Sequence, residues 1–132
     1  MRPDHPSIKP TTAGLRQLMH ERGLSLAQLA EGCGLSQASV RWQMNASVPV
    51  IRSVWKIERF LNTAIWTDQA RFENLCRASS FLGTDFVLTK FHPLRSAAVA
   101  KGVRHTRSVT HKDALLTLVL AHLAKLETQT TT

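Results

Sequence analysis

Gln37, Ala38 and Arg41 stand in the segment LSQASVRWQMN, where an amide and a guanidinium could be held toward flat hydrogen-bonding edges. If the segment is a helix with Val40 turned inward, steps of 100° send Ala38 and Trp42 to the opposite side. Asn45 then lies close by, Arg41 on the flank, and Gln37 at the helix start. In a DNA major groove Gln pairs with adenine N6/N7 and Arg with guanine O6/N7, each worth roughly 1–3 kcal/mol of discrimination. Ala38 is short enough to leave room for a thymine methyl. Gln37, Ala38, Arg41 and Trp42 are therefore candidate base readers, although Trp42 would equally suit packing against the N-terminal segment or a partner. Ser25, Ser36, Ser39 and Asn45 are candidate phosphate contacts, together with backbone N–H groups at helix starts.

Such side chains need two short helices to hold them. Ser25-Leu26-Ala27-Gln28 has the spacing of a capping box, which opens a helix with Leu26, Leu29, Ala30 and Cys33 on its inner face. Ala30 is small enough for a close helix crossing, and Gly34 can turn the chain with positive φ. Leu35 fills the corner, Ser36 caps the next helix, and Val40 anchors that helix on the first. Upstream, LRQLMHERG predicts a helix after Thr12 as N-cap, with Leu15, Leu18 and Met19 on one face and Gly23 at its end. Downstream, Pro49 suits the first turn of a helix carrying Ile51, Val54, Trp55, Glu58 and Leu61 on its stripe, with Phe60 beside them. A fifth helix is expected over 68–78, with Phe72, Leu75 and Cys76 inward.

The stretch ERGLSLAQLAEGCGLSQASV, followed by PVIRSVWKIERFLN, resembles the lambda-repressor-like (Cro/XRE) helix-turn-helix family across about residues 13–67. Three residues beyond Val40, where that family carries an apolar anchor, stands Gln43, and Met44 is positioned to pack instead. The resemblance implies a five-helix domain that binds double-stranded DNA without a cofactor. It points to transcriptional regulators of bacteria, phages and mobile elements, often repressors.

The totals agree with a polyanionic partner. The 132 residues hold 17 Lys+Arg against 9 Asp+Glu, a net charge of +8. An apolar share of 43% supports a real core. Cys33 and Cys76 form no CxxC, and His20, His92, His105, His111 and His122 show no metal-ligand spacing, so neither a disulfide framework nor a metal site is expected. MRPDHPSIKPTT does not read as a secretory signal, and ALLTLVLAHLA is about half the ~20 residues of a membrane span. A cytoplasmic protein follows. No nucleophile–base pair, phosphate loop or carboxylate motif suggests an enzyme.

The second half is less regular. TDFVLTKF fits a strand or a helical turn, and HPLRSAAVAKG a short helix begun by Pro93 and ended by Gly102. No acid occurs from Phe86 to Lys112, while Lys90, Arg95, Lys101, Arg104, Arg107 and Lys112 supply +6. Lys101, Arg104, Arg107 and Lys112 form either a solvated face or a second phosphate-tracking surface. A last helix begins near Thr110 and runs to about Glu127, with Leu115, Leu116, Val119, Leu123 and Leu126 as its stripe. Leu116, Val119, Leu120 and Leu123 are candidates for a homodimer interface, and the same helix would equally serve to close the core.

The expected architecture is all-α: an extended, mobile arm at 1–12, a helix-turn-helix DNA-binding domain at 13–78, and a basic linker with a C-terminal helix at 79–132. Two rival functions remain open. One is an antitoxin-like module whose C-terminal region meets a protein partner. The other is an architectural binder of DNA with little sequence choice.

Overall fold

Ser25 and Ser36 start their helices as their spacing requires, and the other regular elements among the described residues are helices too. The computed structural model describes residues 10–46 and 49–130, and no strand occurs among them. In order they form α1 (Pro10–Glu21), α2 (Leu26–Cys33), α3 (Gln37–Asn45), α4 (Ile51–Leu61), α5 (Gln69–Leu82), α6 (Phe91–Ala100), a 3-10 turn (Thr106–Ser108) and α7 (Lys112–Thr130). Two compact units result, Met1–Gln69 and Ala70–Thr132. All of α5 but Gln69 falls within the second unit. Within that unit Arg71 pairs with Asp113 at 3.0 Å, and Arg77 with Glu127.

The first unit is built on Leu15, Leu29, Ala30, Val40, Met44, Ile57 and Leu61, all buried. At the corner between α2 and α3, Gly34 takes φ 74°. Its N–H donates to the carbonyl of Glu31 (3.2 Å), and that of Leu35 to Ala30 (2.9 Å). This pair of bonds satisfies the carbonyls at the end of α2 and redirects the chain within two residues. A second close approach was not foreseen: the ring of Phe60 lies so near Gly32 that a Cβ there would sit 2.4 Å from it. A side chain at 32 would therefore push aside the Phe60 ring, which is 43% exposed.

Several boundaries differ from expectation. α1 begins at Pro10, not after Thr12, because proline is well suited to a first helical turn. The remainder of the expected arm, residues 1–9, lies outside the described residues. Pro49 precedes the N-cap of α4, Val50, instead of lying in its first turn. Ile51, the first residue of α4, is 75% exposed despite its place on the apolar stripe. TDFVLTKF forms turns, held by Asp85, whose carboxylate accepts from the N–H groups of Val87 (2.9 Å) and Leu88 (2.8 Å).

Cys33, at the end of α2, is half-buried, and desolvation raises its thiol from 9.0 to about 11. It stays protonated near neutrality and should be a poor nucleophile. In a Cys76→Ser variant, iodoacetamide should alkylate Cys33 slowly at pH 8, with the rate climbing only toward pH 11. Reaction at pH 8 as fast as that of a free thiol would contradict this placement.

Candidate nucleic-acid interface

α3 owes its position to its inner face and its chemistry to its outer one. Val40, Gln43 and Met44 are buried, while Gln37, Ala38, Arg41 and Trp42 are exposed. All four candidate base readers therefore share the solvent side of one helix, and Trp42, 54% exposed, lies open among them. Gln37 is the first residue of α3, at the end that points toward base edges when such a helix enters a major groove.

The candidate phosphate contacts divide by their bonding. Ser25 Oγ accepts from the N–H of Gln28 (3.1 Å), whose Oε1 in turn accepts from the N–H of Ser25 (2.8 Å). Ser36 Oγ accepts from the N–H of Ser39 (3.0 Å). In both caps the hydroxyl hydrogen is still available to an anion. Neither α2 nor α3 has an acid in its first turn, so the positive ends of both helix dipoles are unopposed by a carboxylate there. Ser39 is half-buried. Asn45 Nδ2 donates to the carbonyl of Arg41 (2.9 Å), which ties the end of α3 together.

Two residues outside the sequence-derived set join this surface. Arg16 and His20 of α1 line a groove of about 420 Å³ together with Arg41 and Asn45 of α3. The signal for them was their four-residue spacing, which puts both on one side of α1. Arg22 is different, because its guanidinium donates to the Leu61 carbonyl and to Thr63 Oγ1 and so belongs to the scaffold.

Gln43 and Glu58 are the buried polar groups that hold the frame. Gln43 fills the expected apolar-anchor position, yet its Oε1 accepts the N–H of Val50 at 2.8 Å across the α3–α4 connection. Met44 is buried beside it. Glu58 is fully buried, and Oε2 accepts from the N–H groups of Ile65 (2.7 Å), Trp66 (2.8 Å) and Thr67 (2.9 Å). Its Oε1 takes the Thr67 hydroxyl at 2.7 Å.

In the second unit, Arg104 and Arg107 are exposed and Lys101 lies with Nζ 6.0 Å from the Phe81 ring centre. Lys112 is withdrawn from the expected basic surface because its Nζ donates to the Val87 carbonyl at 2.7 Å. Leu116 and Val119 are withdrawn from the expected interface because their own unit buries them. Leu120 and Leu123 are half-buried, and Leu126 is exposed. Among the described residues no cluster of His, Cys, Asp or Glu could hold a metal ion, and no helix is long and apolar enough to cross a membrane.

Over 54 residues the chain is 41% identical to the HTH-type transcriptional regulator SutR of Escherichia coli (strain K12), a match covering 40% of this chain and 30% of that regulator. No solved structure matches the chain. The family described as helix-turn-helix domain matches residues 13–85, which include α2 to α5, the turn at Gly34 and all but the first three residues of α1. Since that span exceeds half of the sequence, the chain belongs to the helix-turn-helix domain family.

Proposed function

We propose that the chain is a transcriptional regulator that reads duplex DNA in a sequence-specific way, with no cofactor and no catalytic role. The outer face of α3 carries this reading: Gln37, Ala38 and Arg41 are exposed together while Val40 and Met44 hold the helix from behind. A net charge of +8 favours a polyanion, and the likeness to a regulator over 54 residues favours DNA. Action would be repression by occluding a promoter, in the cytoplasm. The chain would act as a homodimer, because two half-sites about one helical turn apart double the contacts. Leu120, Leu123 and Leu126 of α7 offer the apolar side chains left for that contact.

Selection of bound duplexes from a random pool at two salt concentrations tests the reading. An enriched inverted repeat is expected. Arg41→Ala should then relax the preference at one base position by about 5- to 150-fold, the equivalent of losing one bidentate base contact. Equal weakening for every sequence would reduce Arg41 to a phosphate contact. Binding without enrichment would leave an architectural role, and no binding at either salt would sink the DNA reading.

A further inference from the structure

Beyond the matched residues, the second unit carries a groove of about 480 Å³ lined by Arg95, Ser96, Val99, Thr106 and Arg107. It lies between α6 and the 3-10 turn, in the stretch from Phe86 to Lys112 that contains no acid. Neither arginine has a carboxylate partner among the described residues. The Arg95 guanidinium is set by the Phe91 ring, with Cζ 5.6 Å from the ring centre. Arg107 reaches the groove from the 3-10 turn, which follows His105 in left-handed backbone at φ 67°.

Thr106 supplies the second, independent observation. The residue is only 6% exposed, yet its hydroxyl has no hydrogen-bond partner among the described residues. No sealed-off polar side-chain atom among the described residues lacks a partner, so solvent reaches this hydroxyl, and Thr106 lines the groove. With the Ser96 hydroxyl it offers two neutral donors beside two arginines, of which Arg95 is set by the Phe91 ring, and this set matches the several acceptor oxygens of a phosphate group.

We propose that this groove seats a phosphate group, namely a backbone phosphodiester of the bound duplex. The choice of duplex over a free phosphorylated molecule rests on the DNA-binding function proposed above; the phosphate chemistry does not. Arg95 and Arg107 supply charge, and the Thr106 and Ser96 hydroxyls fix the orientation. The contact adds affinity without reading sequence.

The test uses the full chain, with Arg95→Gln/Arg107→Gln and Thr106→Val compared with the wild type. Duplex affinity is measured across a salt series, and inorganic phosphate is titrated into the ¹⁵N-labelled protein without DNA. The double variant should lower the slope of log K against log salt by about 0.9 for the one phosphate released, leaving the selected sequence unchanged. Thr106→Val should weaken duplex binding about two- to ten-fold at unchanged sequence preference, as expected for one lost hydrogen bond. Phosphate-induced shifts at Ser96 and Thr106 that Thr106→Val abolishes, beside an unchanged duplex slope, would overturn the duplex as source and keep the phosphate seat. Unchanged slopes with no phosphate shifts overturn the proposal, while the selection experiment still stands for α3. If the chain binds no duplex, the phosphate titration alone decides the groove.

Discussion

Glu58→Ala should destabilise the first unit by about 3–5 kcal/mol, most of what a small domain has to lose. The carboxylate is fully buried and receives four hydrogen bonds, three of them from consecutive backbone N–H groups at 65–67. Alanine leaves those donors without an acceptor in a place water reaches poorly. It also opens a void under Ile65 and Trp66, which pack against the unit's core. Glu58→Gln separates shape from charge. Its carbonyl oxygen can still meet the three N–H groups and its amide can donate to Thr67 Oγ1, so a loss of about 1–3 kcal/mol is expected. Urea unfolding followed by Trp fluorescence measures both. A loss under 1 kcal/mol for alanine would show that the 62–67 segment stands without the carboxylate.

The difference between what the sequence made legible and what it hid follows the range of the interactions. The Ser25 capping box, the Ser36 cap and the Gly34 turn depend on residues within five positions, so spacing alone located them. The exposed set Gln37, Ala38, Arg41 and Trp42 followed from helical geometry once Val40 was fixed. Glu58 was visible only as a member of an apolar stripe, because its partners at 65–67 lie beyond the end of its helix. The part played by Gly32 depends on Phe60, a residue on another helix. On α7 the broad apolar face could not be divided by periodicity between its own core and a second copy. The fold assigns Leu115, Leu116 and Val119 to the core and leaves Leu120, Leu123 and Leu126 at least partly open. The basic run at 86–112 was equally legible as charge but not as shape: Lys112 is spent on a backbone carbonyl, while Arg95 and Arg107 meet in one groove.

Gln43→Ala should cost about 2–4 kcal/mol, the second-largest loss expected. The truncation removes buried side-chain volume from the inner face of α3 and deprives the Val50 N–H of its acceptor. Val50 is the N-cap of α4 and receives no side-chain cap of its own, so the Gln43 amide is what fastens the start of that helix to α3. Gln43→Leu isolates the hydrogen bond from the packing. Leucine refills the volume, and Val50 is itself exposed enough for water to reach its N–H, so a loss of about 1 kcal/mol is expected. Hydrogen exchange at the Val50 amide supplies the local readout: it should quicken in both variants. A leucine variant as stable as the wild type, with that amide still protected, would mean the amide bond is incidental. Otherwise Gln43 is a polar clamp in an apolar anchor's place, holding the back of the helix whose front carries Gln37 and Arg41.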